Sequence, residues 1–194
     1  MKVLSVTLNI HTNQLLLSMR QLSCSLILLP WLSACSDKAK LPEPPLFFPF
    51  DTQTAGFRIE TDFRVVDHNS YKFSFKLPFK EGDTTDRERV KKLAGGAQRD
   101  KDGKIMQPGV PIPVRIRINA IKPSALEGVF EREYLTADMD SYGFVFYQTV
   151  ITNPRLKPGT YHLLIESLKS VPEYQGIPVT LTVTTDPKGG TIPE

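Results

Sequence analysis

The sequence predicts a mainly β fold, an antiparallel immunoglobulin-like β-sandwich of about seven strands with one short helical insert. Several segments alternate apolar and polar residues with a period of two, which is typical of strands with one buried and one wet face. Pro, Gly, Asn and Asp separate most of these segments, as turns require. A single segment has helical spacing instead. Runs of short strands with turns between them favour a sandwich.

The first two strands are predicted over residues 57–65 and 71–79. Odd positions of the first are apolar apart from Thr61, and its even positions are charged. The second places aromatic and aliphatic residues at its odd positions. Because residues 67–70 read as a turn, the two segments are expected to pair as a hairpin.

The helical insert is predicted to follow this pair. Residues 85–88, Thr-Asp-Arg-Glu, resemble a capping box, and Val90, Leu93 and Ala94 follow at helical spacing. Gly95 and Gly96 supply a stop. The helix is expected to pack over an end of the sheet.

Strands then resume, and a final pair is expected to close the chain as a hairpin. The segment 143–151 is mostly apolar and is predicted to be a central strand. Together the five remaining predicted strands are residues 112–119, 128–135, 143–151, 160–166 and 178–184. Tyr161, just after Pro158-Gly159, resembles the tyrosine corner of Greek-key sandwiches, with an ordinary strand tyrosine as the alternative.

Leu32-Ser33-Ala34-Cys35, behind an apolar run, resembles the lipobox of bacterial lipoproteins. This order of positive, apolar and small residues is that of a secretory signal. The compact signal begins at Met19, so Met19 is the expected start. The alternative is a membrane-spanning helix, but the apolar run is much shorter than the roughly 20 residues that a bilayer requires.

This resemblance implies that Cys35 becomes the lipid-modified N-terminus of the mature chain. Palmitate and other acyl chains on Cys35 would give stable attachment, since one chain alone binds a membrane only marginally. Ser36 resembles the outer-membrane sorting signal rather than the inner-membrane one. The expected location is therefore the bacterial cell envelope, on the outer membrane and facing the periplasm.

The chain divides accordingly into four predicted parts. Residues 1–34 are a removed signal segment, 35–50 a lipidated cysteine and proline-rich tether, 51–186 the β-sandwich, and 187–194 a flexible tail. Phe47, Phe48 and Phe50 are expected to dock on the domain, with an aromatic patch that touches the membrane as the alternative. Lys2 and Arg20 are the only charged side chains in the signal, so the mature chain has 22 Lys and Arg against 21 acids. A charge this close to zero gives no reason to expect nucleic acid.

Residues 57–183 resemble a family of uncharacterised bacterial lipoprotein domains. Three stretches carry the resemblance: residues 71–83, residues 90–95 and residues 156–161. The resemblance implies a fold and a location in the envelope. It implies no activity.

No catalytic or cofactor motif is present, and neither an enzyme nor a cofactor is predicted. A Ser-His-Asp site would require His68 or His162, which are predicted to be surface or edge residues. Asp100-Lys101-Asp102-Gly103 lacks the remaining ligands of a calcium loop. Asp138 and Asp140 form a second acidic pair. Both acidic stretches are interpreted as solvated loops, and no metal site is predicted.

A basic concentration lies on the predicted helix, at Arg87, Arg89, Lys91 and Lys92. It is either a wet helix face balanced by Asp86 and Glu88 or a contact patch for anionic lipid or an acidic partner. A basic sheet face is a further expectation, conditional on two strands being neighbours. Its residues are Lys72, Lys76, Arg115 and Arg117.

These features favour a non-enzymatic, lipid-anchored periplasmic domain that binds an unknown protein partner. One form is an immunity-type lipoprotein that neutralises a toxin, and another is an envelope accessory protein. The alternative is a module that binds glycan or peptidoglycan through exposed aromatic side chains. Tyr142, Tyr147 and Tyr174 are the candidates for that role.

Overall fold

The computed structural model describes residues 40–186, apart from residues 97, 99, 104, 105, 136 and 137. The predicted signal segment, with Leu32, Ser33, Ala34 and Cys35, lies outside the described residues, as does the predicted tail at 187–194. No helix in this described range combines the length and the apolarity that crossing a membrane requires.

Two antiparallel sheets and one α-helix make up the fold, and the prediction of a β-sandwich with a helical insert is confirmed. In chain order the elements are β1 (Leu46–Pro49), β2 (Arg58–Val65), β3 (Asn69–Pro78), α1 (Thr84–Ala94), β4 (Val114–Ile121), β5 (Leu126–Tyr134), β6 (Asp138–Tyr142), β7 (Phe146–Thr152), β8 (Arg155–Leu156), β9 (Gly159–Ser167) and β10 (Thr180–Asp186). The larger sheet has the order β1-β10-β3-β7-β6, with β8 on β3, and the smaller has β2-β9-β4-β5.

The described part has ten strands, rather than about seven, because three short strands were not predicted. Strand β1 lies in the stretch predicted to be the tether and pairs with β10. The prolines around it made that stretch read as an extended linker rather than a strand. Strand β6 contains the acidic pair that was interpreted as a loop, and β8 has only two residues. Phe50 is buried in the core, as expected for a docked phenylalanine, whereas Phe47 stays exposed.

Neither predicted hairpin forms. Strands β2 and β3 lie in different sheets, β2 pairing with β9 and β3 with β10 and β7. Strands β9 and β10 are likewise divided between the sheets. Alternation identifies the inward side of a strand but not its partner, so a short connection can cross the sandwich as easily as it can form a hairpin.

The inner faces of both sheets form one apolar core. Many of its fully buried side chains come from β2, β3, β4, β9 and β10, among them Phe63, Phe73, Leu77, Ile116, Ile118, Leu163, Ile165 and Leu181. Each of these residues occupies the inward parity of its strand, which is why the alternation in the sequence predicts the core well.

Helix α1 packs on the end of the sandwich through an apolar face, and a buried tyrosine forms hydrogen bonds beside it. Val90, Leu93 and Ala94 are buried. The hydroxyl of Tyr174 lies 2.6 Å from the carbonyl oxygen of Val110 and 3.1 Å from that of Leu93. The N-cap is Asp83, whose carboxylate accepts from the amide of Asp86, so the helix begins ahead of the predicted capping box. Gly95, at φ 84°, ends it as predicted.

Two tyrosine corners brace the opposite end of the sandwich. Tyr161 donates a 2.7 Å hydrogen bond to the carbonyl of Lys157, which confirms the predicted corner. Tyr71 donates a 3.0 Å bond to the carbonyl of Asp67 in the same i to i−4 pattern. The second corner was not predicted, because Tyr71 also fits the alternating pattern of its strand.

The two ends of the sandwich are therefore different. The described chain begins at one end, called the N-terminal pole, where the carbonyl of Pro42 accepts a hydrogen bond from the amide of Arg64 near the end of β2. The distal pole carries α1 and the turn between β6 and β7. From Tyr71 to Pro78 strand β3 advances seven residues, so the poles are separated by about 24 Å.

Candidate functional site

The β6–β7 turn at the distal pole is built to a fixed shape. Gly143 donates a 2.8 Å hydrogen bond to the carbonyl of Phe146, which closes the turn. Phe79, just past β3, donates a 3.0 Å bond to the carbonyl of Val145 and ties the turn to the sheet. The ring of Phe146 occupies the space that a Cβ on Gly143 would need, so a larger residue there would have to displace that ring.

This turn exposes two large aromatic side chains. Phe144 is 99% exposed and Tyr142 is 72% exposed. Single exposed apolar residues are ordinary, but a wholly exposed phenylalanine with a second exposed ring two residues away is a candidate interaction site.

Two cations adjoin the turn, and both contact rings. The ammonium of Lys76 lies 4.1 Å from the centre of the Phe146 ring. The guanidinium of Arg87 lies 5.6 Å from the Phe79 ring and donates a 3.4 Å hydrogen bond to the hydroxyl of Tyr147. That bond, with the charge interactions of Tyr147, Glu88 and Tyr142, raises the pKa of Arg87. Tyr142, Phe144, Phe146, Lys76 and Arg87 are called the aromatic tip below.

The four predicted patch cations on α1 have separate environments. Arg89 donates two hydrogen bonds to one carboxylate oxygen of Asp86, at 2.8 and 3.2 Å. The amide of Lys80 and then Arg89 lower the pKa of Asp86.

The other two patch lysines are exposed. Lys91 lies 3.7 Å from Glu88, and Lys92 lines an open groove with Glu88 and Glu173. Arg87 alone turns towards β7. The helix thus resembles the balanced wet face more than one concentrated patch.

The predicted basic sheet face does not form, because its residues lie on different sheets. Arg115 and Arg117 project from β4 in the smaller sheet, whereas Lys72 and Lys76 project from β3 in the larger one. Lys72 is neutralised by Asp140, at 2.8 Å.

The outer face of the smaller sheet is a ladder of ion pairs. Arg115 lies 2.6 Å from Glu133 and 3.5 Å from Glu166, and Arg117 lies 2.7 Å from Glu131. A hydrogen bond from Arg117 lowers the pKa of Glu131, and one from Arg58 lowers the pKa of Glu166. These cations already have carboxylate partners.

The two histidines are positioned differently. His68 is exposed in the turn before β3. The Nδ1 atom of His162 lies 2.7 Å from Asp62, and Nε2 lies 3.3 Å from Glu60, on the outer face of the smaller sheet. Sequence reasoning missed these contacts because both carboxylates lie far away in the sequence, on β2, with Asp62 100 residues from His162.

The acidic stretches serve local structure. Asp100 accepts from the amide of Asp102 within its loop, and Asp140 pairs with Lys72 on the larger sheet. The side chain of Asp138 lies outside the described part. Among the described residues there is no group of three His, Cys, Asp or Glu side chains that could hold a metal ion.

Two of the three tyrosines proposed for glycan contact are buried. Tyr147 is 4% exposed and Tyr174 is 1% exposed, and both hydroxyls are engaged inside the fold. Burial raises the pKa of Tyr174 far above its ordinary range. Only Tyr142 remains available for stacking on a sugar.

Sequence reasoning also missed the turn that presents Phe144. Residues 143–147 are largely apolar, and the sequence analysis makes them the start of the central strand predicted over 143–151. Strand β7 begins at Phe146 instead, and residues 143–145 form the turn. Gly143 was the available signal, since a glycine between two strands often marks a turn.

Comparison with a solved structure supports the fold. A crystal structure of a protein from Sulfurospirillum deleyianum is similar, with a TM-score of 0.62 and 22% sequence identity, covering 74% of this chain and 98% of that chain. No curated protein matches the sequence.

Residues 47–185 match a family described as a domain of unknown function, DUF5625. This match starts within β1 and ends within β10, so it spans the whole sandwich. The predicted resemblance to an uncharacterised family is confirmed to that extent, and the chain belongs to the DUF5625 family.

Proposed function

We propose that this protein is a lipid-anchored envelope domain that binds a protein partner and catalyses no reaction. Cys35 is its acylation site, the outer membrane facing the periplasm is its location, and the described sandwich is its binding part. An immunity-type or an envelope accessory role fits this proposal. The lipobox-like sequence Leu32-Ser33-Ala34-Cys35 supports the anchor.

The aromatic tip is the observation that carries the partner-binding part of the proposal. The described chain enters at the N-terminal pole, and Phe144 is fully exposed at the other end of the sandwich. An anchor attached ahead of residue 40 would join the sandwich at the N-terminal pole, the end opposite Phe144. Aromatic side chains are enriched in protein interfaces and among the residues that contribute most to binding.

Metabolic labelling with an alkyne fatty acid tests the anchor. The wild-type chain and a Cys24→Ala variant are expected to carry the label, and a Cys35→Ala variant is expected to lose it. Cys24 is the matched control because it is the other cysteine and lies in the segment predicted to be removed. A Cys35→Ala chain that is still labelled, or a wild-type chain that is not, would contradict the proposal.

A cell-competition assay tests the immunity form of the proposal. Cells that lack this protein are expected to be killed by sister cells, and expression of the wild-type chain is expected to restore survival. If the deletion strain survives contact with sister cells as well as its parent, the immunity form is wrong and the accessory form remains.

A further inference from the structure

We propose that the aromatic tip docks into an apolar pocket rimmed by carboxylates on the partner protein, with Phe144 as the inserted side chain. The inference rests on the proposed function and specifies the chemistry of its partner. The occupant is an acidic protein surface.

The apolar part follows from how Phe144 is held. The bonds from Gly143 to Phe146 and from Phe79 to Val145 fix the turn, so insertion would require little ordering of the backbone. Phe144 is 99% exposed, and its whole side chain is available to fill a pocket. Burying such a side chain removes its apolar area from water, which is the main source of affinity at hot spots.

The acidic part follows from the two cations beside the turn. Among the described residues, no carboxylate lies within 4.0 Å of the Lys76 ammonium or the Arg87 guanidinium, and both cations contact aromatic groups. The charge of Glu88 acts on Arg87 without forming an ion pair at that distance. Their charges therefore remain available to a partner. Carboxylates around the pocket would complement them and would exclude basic surfaces.

Lys72 provides a comparison on the same strand. Lys72 and Lys76 project from the same face of β3, four residues apart. Lys72 is paired with Asp140, whereas Lys76 lies over the ring of Phe146. The same strand thus offers a neutralised lysine and an available one, which makes Lys72 a matched control.

Photo-crosslinking in living envelopes tests the inference. The full chain carries p-benzoylphenylalanine in place of Phe144 or, as a control, in place of Glu131 on the smaller sheet. We expect a protein adduct at position 144 and little at position 131. The crosslinked partner peptide is expected to contain apolar residues next to Asp or Glu.

Charge variants are tested in the same crosslinking chain. The double variant Lys76→Gln, Arg87→Gln is expected to lower the yield of the protein adduct at position 144 by about tenfold. The control double variant Lys72→Gln, Arg117→Gln is expected to lower that yield by less than about twofold. Lys76→Gln alone, on an otherwise intact surface, is expected to lower it in part, and thermal unfolding confirms that each variant folds. In the chain without the photo-reactive residue, Phe144→Ser is expected to weaken binding to the identified partner by about 30-fold or more.

The outcomes separate this inference from the proposed function. The inference is wrong, but partner binding stands, if the yield of the protein adduct at position 144 is the same in the charge variants as in the wild-type chain. The same conclusion follows if the crosslinked partner peptide lacks acidic residues. A lipid, a glycan or a second copy of this chain in the adduct also overturns it. The absence of any protein adduct at both positions counts against the proposed function as well.

Discussion

The aromatic tip and the outer face of the smaller sheet are both exposed and both contain arginine, but their charges are arranged differently. On the sheet, Arg115 and Arg117 lie within 2.7 Å of Glu133 and Glu131. At the tip, Lys76 and Arg87 contact rings. The sheet is therefore internally satisfied, and the tip presents apolar area together with available positive charge. A count of basic residues along the sequence does not distinguish these two surfaces.

The largest expected effect is a loss of stability when the packing of α1 at the distal pole is disrupted. Leu93→Ala removes a buried side chain of α1, and the cavity should lower the free energy of unfolding by about 2–5 kcal/mol. Urea denaturation measures the change. Lys92→Ala, one residue earlier and exposed, is the matched control and should stay within about 0.5 kcal/mol of wild type. Equal effects of the two variants would show that α1 is not docked as described.

A smaller effect is expected at the turn itself. Gly143→Ala would place a Cβ against the Phe146 ring, and displacing that ring should lower stability by about 1–3 kcal/mol. Gly128→Ala on β5 is the control, because its Cβ would meet only an atom of Asn119 at 3.9 Å. Thermal unfolding compares the two variants. A Gly143→Ala chain as stable as wild type would mean that the turn is loose, which removes the rigidity that distinguishes the tip.

The smallest effect is a pH dependence on the smaller sheet. Because Arg117 lowers the pKa of Glu131, the pair stabilises the fold above the pKa of the unfolded glutamate and stops doing so as the pH falls through the lower folded value. The Tm of Arg117→Gln should lie slightly below that of wild type at pH 7, and the gap should close between about pH 5 and about pH 3.

Arg132→Gln supplies the control for this titration. Arg132 is on β5 and lies 5.9 Å from the ring of Phe130. Its Tm difference from wild type should not change over the same pH range. If the Arg117→Gln gap is independent of pH, Glu131 is not paired as the structure shows.

The sequence predicts the inward residues of this fold better than their partners. Alternation at positions 57–65 and 71–79 identifies the buried Phe63, Phe73 and Leu77, because side chains alternate strictly along a strand. The same alternation is compatible with two strands that pair in one sheet and with two strands that lie in opposite sheets. The prediction that β2 and β3 form a hairpin was therefore wrong. Tyr161 was predictable because its corner is a local motif.

The site was less predictable for the same physical reason. An apolar run such as 142–147 is compatible with a buried strand and with an exposed turn, and only the hydrogen bond from Gly143 to Phe146 distinguishes them. The burial of Tyr147 and Tyr174 depends on α1 packing over the sheet, which no local pattern encodes. Asp86 and Glu88 were predicted as the helical partners of the basic residues. The ring partners of Lys76 and Arg87, and the carboxylate partners of Arg115 and Arg117, come from other elements and were not predicted.

Hydroxyl-radical footprinting tests the central claim most directly, by comparing side-chain oxidation in intact envelopes with that in the purified folded domain. The account predicts that Phe144 and Tyr142 are strongly oxidised in the purified domain and protected in the envelope. Val129, exposed on β5 of the smaller sheet, should be oxidised to a similar extent in both. Oxidation of Phe144 that is the same in both preparations, or protection of Val129 instead, would contradict the claim that the distal pole is the surface that meets a partner.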